Sequence, residues 1–251
     1  MEKKVLNFAI IVLALAISSC SKKGDTGPAG ATGPAGPAYK GAISGHVILY
    51  DQYGARVYSG LNSVNIQLNG AAAINADNSG YYLFSWLTTG DYEIATSASG
   101  YASSFTNKFQ FLGDTLNRDL KLSAIPDFSP LSMSSYAALS SPGDSMVLTF
   151  AAYSRARNCI LFVNNTSAVG SQPANYLLVY IKAVPANQTK ISFVIPAGDL
   201  YDAGLLSGST FYCAAYGYVT GDVSVYEDLT TGKNVYNAVS ANPVTATGVT
   251  P

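Results

Sequence analysis

Short runs of apolar residues recur along the chain after residue 40, and in several of them apolar and polar side chains alternate. A period of two places successive side chains on opposite faces of an extended strand, so each such run is predicted to bury one face. Glycine-containing turns separate the runs, and those at 78–80 and 89–91 are typical of tight hairpins that need a positive φ. The pattern predicts ten strands, at residues 43–50, 64–68, 80–84, 90–95, 116–122, 146–150, 159–163, 176–181, 191–195 and 211–216.

These strands fall into two groups, which meet near Pro126 and Pro130. Their spacing is typical of sandwiches rather than of a barrel with even hairpins. The roughly 210 residues that contain them are enough for two domains of ordinary size. We therefore expect an all-β protein with two β-sandwich domains in tandem, at residues 39–125 and 126–251.

The first 20 residues form a different kind of segment. Lys3 and Lys4 precede a run of ten apolar residues, 8–17, which small residues follow. This is the order of a secretory signal peptide. A membrane-spanning helix needs about 20 apolar residues, twice the length of this run. Residues 1–19 are therefore predicted to be a signal peptide.

The tetrapeptide Ile17-Ser18-Ser19-Cys20 resembles the lipobox of bacterial lipoproteins. The resemblance implies that Cys20 becomes the mature N-terminus and carries acyl chains, palmitate among them. Several acyl chains hold a protein on a membrane far more firmly than one. Ser21 stands where an aspartate would favour the inner membrane, so the resemblance implies a lipid-anchored protein of the outer membrane or cell surface.

Residues 20–38 contain five Gly-X-Y triplets, with glycine at every third position from 24 to 36. This is the collagen pattern, in which only glycine fits at the axis of the triple helix. Two interpretations stay open. The triplets either join three copies into a homotrimer, or form an extended polyproline-II spacer, about 45 Å long for 15 residues at about 3.1 Å each.

The first predicted sandwich carries a series of motifs in order: ISGHVILYDQYG, VNIQLNG, ADNSGYYLF, LTTGDYEIATSASGY and LKLS. Together they resemble the carboxypeptidase regulatory-like domain, a small transthyretin-like β-sandwich. The resemblance implies an accessory module that supports or recognises, without peptidase activity of its own. Residues 205–211 of the second sandwich loosely resemble a fibronectin type III pattern, but the corner position holds Phe211, which has no hydroxyl. We therefore expect only an immunoglobulin-like sandwich there.

Composition and motifs exclude several classes of function. Cleavage before Cys20 leaves 12 basic and 14 acidic residues, because Lys3, Lys4 and Glu2 are lost from totals of 14 and 15. A nucleic-acid partner normally demands a basic stripe.

His46, the single histidine, lies within a predicted strand, where a surface or packing role is expected. A catalytic triad would need this residue, and no G-x-S-x-G motif is present; a zinc site needs three or four closely spaced ligands, which one histidine and two distant cysteines do not supply. Asp77-Asn78-Ser79 is interpreted as a turn rather than a calcium loop. The chain is predicted to be no enzyme and to have no cofactor or metal.

Three further questions stay open at this stage. Cys159 and Cys213 form either a disulfide that closes a long loop or two separate buried thiols. Thr115 and Ser145 lie in tripeptides that resemble the Asp-Ser/Thr-apolar acceptor of protein O-glycosylation in Bacteroidetes. A glycosidase-like hydrolase would need two of the later acids in one cleft; these acids are Asp199, Asp202, Asp222, Glu227 and Asp228.

The favoured hypothesis is a membrane-anchored, non-enzymatic lipoprotein that presents its sandwiches for structural or adhesive binding to a surface protein. The alternative is a carbohydrate-binding lipoprotein of a glycan-uptake system. That alternative predicts tyrosines gathered on one exposed face, because aromatic rings stack on sugars, whereas strand alternation predicts that about half of them fill the cores. The tyrosines considered are Tyr53, Tyr58, Tyr81, Tyr82, Tyr101, Tyr212, Tyr216 and Tyr218.

Overall fold

The computed structural model describes residues 40–137 and 143–251. The predicted signal peptide, Cys20 and the Gly-X-Y triplets lie outside these residues. The fold is all-β, as predicted, and is built from β-sandwiches. The first sandwich contains strands β1 (Lys40–Tyr50), β2 (Arg56–Val57), β3 (Asn65–Leu68), β4 (Ile74–Asn75), β5 (Tyr81–Thr88), β6 (Gly90–Tyr92), β7 (Ile94–Ser97), β8 (Ser104–Phe105), β9 (Phe109–Phe111), β10 (Thr115–Asn117) and β11 (Leu120–Ser123).

The long strand β1 organises the first sandwich. It pairs antiparallel with β5 and β2, and parallel with β10 and β11. A second sheet has the strand order β4-β3-β7-β8, and β6 pairs with β9 as a separate ribbon. The inward side chains of β1, β3, β7 and β11 form the core, with Ile43, Ile66, Ile94 and Leu122 fully buried.

Two predicted strands are interrupted because side chains take over backbone hydrogen bonds. The predicted strand 116–122 breaks between β10 and β11, where the Asp119 carboxylate accepts the His46 N–H at 2.9 Å. The predicted strand 90–95 breaks at Glu93, whose N–H donates to the Asn69 side chain at 2.7 Å. A short polar side chain at each site thus replaces one rung of the ladder.

The two predicted hairpin turns have different outcomes. At 78–80 the turn and the positive φ are confirmed, since Gly80 has φ 84° and its N–H donates to the Asp77 carbonyl at 3.0 Å. The hairpin is not formed, because β4 pairs with β3 and β5 pairs with β1. The hairpin predicted at 89–91 is wrong, because Gly90 lies inside β6 and pairs with Phe111 of β9 rather than returning along β5. The ring of Tyr92 packs edge-on against Phe111 at 5.8 Å, which favours this pairing.

The second sandwich packs a three-stranded sheet, β12-β13-β16, against a four-stranded sheet, β15-β14-β17-β20. One six-residue helix and a small hairpin, β18-β19, complete it. Its elements are β12 (Ser132–Ala137), β13 (Gly143–Thr149), β14 (Arg157–Asn164), β15 (Leu178–Val184), β16 (Lys190–Pro196), α1 (Ala197–Asp202), β17 (Thr210–Tyr218), β18 (Tyr226–Asp228), β19 (Lys233–Val235) and β20 (Val244–Val249). Within the described residues, no helix is both long enough and apolar enough to cross a bilayer.

Both faces of β14 are buried. Leu161 and Val163 face the core between the two sheets, whereas Phe162 faces a second cluster that includes Tyr236, the residue after β19. The Phe162 ring has edge-on contacts with Tyr216 at 5.7 Å and Tyr236 at 5.6 Å. A strand covered on both sides reads as a continuous apolar run, which is why 159–163 shows no alternation.

The disulfide considered for the two cysteines is wrong, and they are separate buried thiols. Cys159 lies opposite Gly217, while Cys213 on the neighbouring strand lies opposite Val163, four residues further along. At about 3.3 Å per residue this offset is about 13 Å, and a disulfide needs Cα atoms within about 7 Å. Burial raises the pKa of Cys213 to about 12, so this thiol is unreactive at neutral pH.

Arg157, at the start of β14, joins the two sandwiches. Only 10% of its side chain is exposed, and its guanidinium donates to Asp127 at 2.9 Å and to Gln52 of the first sandwich at 3.1 Å. It also lies over the ring of Tyr53, at 5.3 Å, from that same first-sandwich turn. Further rings around it, from the second sandwich, are Phe128 at 4.7 Å and Tyr153 at 4.1 Å.

Backbone contacts extend this junction. The N–H of Ser123 at the end of β11 donates to the Ser224 hydroxyl at 2.7 Å, and the Ser123 hydroxyl accepts the Val223 N–H at 3.0 Å. Gly54 approaches so closely that a Cβ there would lie 2.8 Å from the Thr220 carbonyl oxygen. The first sandwich is therefore fastened to the loop after β17 as well as to Arg157.

We expect Arg157→Ala to destabilise the protein by about 2–4 kcal/mol, because it removes hydrogen bonds and ring contacts and leaves a cavity. Asp127→Asn should cost less than about 1 kcal/mol, since that carboxylate is exposed. Urea-unfolding midpoints of the two variants and the parent measure both effects. Equal, small losses would show that the junction does not depend on the guanidinium.

Candidate functional site

A groove crosses the outer face of the β3-β7-β8 sheet. Gln67, Ala95 and Phe105 form one cross-strand row, since Ala95 pairs with each of the others. Asn65 and Ser97 form the next row on the same face. Because Ala95 is the smallest of its row, it leaves a hollow between an amide and an aromatic ring. The hollow has a volume of about 400 Å³ and is also lined by Ala73 and Ser103.

Phe105 separates this hollow from a second one. Its side chain is 43% exposed, and its ring lies 5.7 Å from that of Tyr226, at the start of β18. The second depression, of about 270 Å³, is lined by residues of both sandwiches, including Glu93, Asn107, Lys108, Glu227 and Asp228. The two hollows lie on either side of Phe105, one on the first sandwich and one reaching the β18-β19 hairpin, and the pair is called the groove below.

Hydrogen bonds hold the walls of the groove in place. The Ile94 N–H donates to the Thr106 hydroxyl at 2.8 Å, which fixes the chain just after Phe105. The Asn237 amide, from the second sandwich, donates to the Ser103 carbonyl at 2.9 Å. Two sandwiches thus position the same short strand β8.

One of the acidic residues of the groove already accepts local hydrogen bonds. The Asp228 carboxylate accepts the Thr231 hydroxyl at 2.8 Å and the Thr230 N–H at 3.1 Å, and these bonds hold its pKa below the ordinary value. Glu227, the preceding residue of β18, is exposed and also lines the depression. The groove therefore offers separate carboxylates, amides, hydroxyls and one ring for binding.

The other predicted acids lie elsewhere. Asp199 on α1 accepts the Tyr180 hydroxyl at 2.7 Å, and Asp202 on the same helix is exposed. Asp222 lies at the junction, where its carboxylate accepts the Ser224 N–H at 2.7 Å. Of the five acids named from the sequence, the structure brings only Glu227 and Asp228 into this groove, with Glu93, which sequence reasoning missed.

The eight tyrosines do not gather on one exposed face, so that prediction is wrong. Tyr82 and Tyr218 are buried in different hydrophobic clusters, whereas Tyr58 is 74% exposed beside Arg56. The aromatic residues of the groove are Phe105 and Tyr226, which sequence reasoning did not name. A signal for Phe105 was available, because it is the one apolar side chain in the polar stretch 103–108.

The remaining predicted residues have clear positions. His46 is exposed on β1 and packs edge-on against Tyr81 at 5.6 Å, which confirms a surface role. Asp77 accepts the N–H groups of Ser79 and Tyr81, at 2.8 and 2.9 Å, as a turn residue does. Within the described part of the chain, no three histidine, cysteine or acidic residues are grouped as metal ligands.

The two predicted glycosylation acceptors differ in accessibility. Thr115 is exposed on β10, whereas Ser145 is half-buried on β13, between β12 and β16. The acidic residue of the second tripeptide, Asp144, is buried and accepts the Val249 N–H at 3.2 Å. Glycosylation stays a prediction, and Thr115 is the acceptor that a folded chain presents.

No protein-family model matches the chain, and no curated protein matches its sequence. Among solved structures, the chain is similar to a proposed carbohydrate-binding protein from Bacteroides uniformis, with 16% identity, 84% of this chain and 99% of that chain covered, and a TM-score of 0.31. It is also similar to DUF3823 family proteins from Parabacteroides merdae (14% identity, 83% and 100% covered, TM-score 0.29) and Bacteroides uniformis (11%, 86% and 100%, 0.32). TM-scores at this level support no conclusion about function.

Asp222 is expected to make the junction sensitive to pH. Burial raises the pKa of its carboxyl, while the Ser224 N–H opposes the rise. An acid with a raised folded-state pKa contributes stability that is present below the unfolded pKa, about 3.9, and lost as pH rises through the folded value. Asp222→Asn should therefore gain stability relative to the parent as pH rises from acid to neutral. Urea unfolding across this range, with exposed Asp202→Asn as control, measures the difference; parallel profiles for all three proteins would contradict it.

Proposed function

We propose that this chain is a membrane-anchored, non-enzymatic binding protein of the outer membrane or cell surface, and that its groove around Phe105 binds a glycan in adhesive contacts. In this proposal Cys20 carries the lipid, residues 24–38 are the spacer, and the two sandwiches are of the carboxypeptidase regulatory-like and immunoglobulin-like types. The observation that supports it most is the groove itself, an exposed ring flanked by amides and hydroxyls.

The lining of the groove matches the chemistry of a sugar. A sugar ring presents C–H groups on its faces, which pack on an aromatic ring, and hydroxyls on its rim, which need hydrogen-bond partners. Phe105 supplies the ring, while Asn65 and Gln67 supply donors and acceptors on the same face.

The position of the groove also supports a binding role. Its walls come from both sandwiches, and the junction around Arg157 holds them without a flexible linker between the two. A pre-formed site loses little conformational entropy on binding. Because the groove is open at its ends, a chain of several sugars could lie along it.

A glycan array probed with the purified, lipidated chain in detergent tests the proposal. We expect reproducible binding to a defined glycan, and Phe105→Ala should weaken it at least about tenfold. Tyr58→Ala is the matched control, since Tyr58 is an exposed aromatic residue outside the groove. Silence across the array, or equal binding by both variants, would overturn the glycan assignment and favour a protein partner.

The lipid anchor is tested separately. Cells that express the full chain should incorporate labelled palmitate into it, and Cys20→Ser should abolish the label and release the protein from the membrane fraction. Cys213→Ala is the control, because it removes a buried thiol and should leave the label in place. Retention of the label in Cys20→Ser would exclude lipidation at this residue.

A further inference from the structure

One tip of the first sandwich exposes its largest apolar side chain. Trp86, the single tryptophan of the chain, is 79% exposed near the end of β5. Leu112 is 73% exposed in the loop between β9 and β10. Both lie at the end of the sandwich where β1 begins, since Lys40 pairs with Thr88 and the loop after Leu112 leads to the pairing of Thr115 with β1.

Trp86 also has a backbone conformation that its side chain disfavours. Its φ is 62°, at a β-bulge where two residues of β5 face one of β1. Glycine is the residue that usually takes this position in a bulge, and a bulky residue there is a rare outlier. Leu87 follows it and packs against the core, so the core does not use the Trp86 ring. Strain of this kind is most often retained at functional sites.

Charge at the tip is small and mixed. Lys40 lies with its ammonium 5.8 Å from the centre of the Trp86 ring. Asp91 and Asp114 are exposed in the adjoining segments, so the tip carries one positive and two negative charges, a net charge of −1. Such a tip has no basic cluster to attract anionic lipid. An exposed tryptophan with a neighbouring lysine suits the interface of a neutral bilayer, where the ring is buried and the ammonium stays hydrated.

We propose that this tip, defined by Lys40, Trp86 and Leu112, inserts into the interface of a zwitterionic bilayer. The choice of a bilayer as the binding partner of this tip rests on the proposed anchor at Cys20. The chain that would lead to the lipid enters the sandwich at Lys40, so the tip is the part of the fold attached directly to the tether. Lys40 lies twenty positions after Cys20, and tethering raises the effective concentration of bilayer at the tip.

Because Trp86 is the only tryptophan, its fluorescence reports on this tip alone. The full lipidated chain is reconstituted into vesicles of phosphatidylcholine and phosphatidylethanolamine. The reference sample is the Cys20→Ser variant, which carries no lipid, in buffer without detergent or vesicles. We expect a blue shift of the emission and quenching by brominated lipid in the vesicles. Adding phosphatidylglycerol should not strengthen either signal.

Leu112→Asp keeps the reporter and should abolish the shift and the quenching. Leu206→Asp is the matched control, because Leu206 is 75% exposed in the second sandwich, and it should leave both signals intact. Lipidated protein that floats with the vesicles but shows neither signal would overturn tip insertion while leaving the anchor intact. Protein that fails to float would instead overturn the lipid anchor, on which the choice of a bilayer as partner rests. A blue shift that grows with protein concentration without lipid would assign the tip to a second copy of the chain and also overturn the proposal.

Discussion

The buried guanidinium of Arg157 is the interaction on which the rest of this structure depends. Its 10% exposed side chain bonds to Gln52 and packs on Tyr53, both from one turn of the first sandwich. A buried charge is tolerated only when it is paired and hydrogen-bonded, so separation of this turn from β14 would take one hydrogen bond and one packed ring from the guanidinium. The hollow between Phe105 and Tyr226 has walls from both sandwiches, so it depends on this docking, whereas the hollow beside Gln67 lies within the first sandwich.

The order of the strands followed from the sequence because alternation survives wherever a sheet has one buried face. The runs that became β1, β3, β13 and β16 are of this kind. Strands β12 and β20 were not predicted for a different reason. Both are rich in serine and threonine, which occur in turns as well as in strands, so their sequences carry little apolar signal. The short hairpin β18-β19 is followed by Tyr236, whose ring packs on Phe162, a long-range contact that no local pattern contains.

The candidate site could be predicted less well than the fold, for a physical reason. Sequence reasoning looked for binding aromatics among the tyrosines, which are numerous. The structure uses many of them inside its clusters, where a tyrosine fills space and its hydroxyl still reaches a carbonyl, as Tyr176 does with Asn234 at 2.7 Å. Phe105 and Gln67 are 38 positions apart in the chain and meet only through the register of β3, β7 and β8. Register is a tertiary property, since a shift of one residue would turn both side chains to the other face.

Departures from local rules are informative here because most of them have an evident structural use. Among the described residues other than glycine, Asn69, Trp86, Asp114 and Asn187 have positive φ. Asparagine and aspartate enter this region readily, and the Asn69 side chain uses its geometry to replace a missing rung of the sheet. Trp86 has no such compensation, for its ring is exposed and the core closes without it. In a folded sequence, backbone preference, burial and packing usually agree at each residue. Trp86 departs from both backbone preference and burial, and a contact outside the chain explains this more simply than a contact within it.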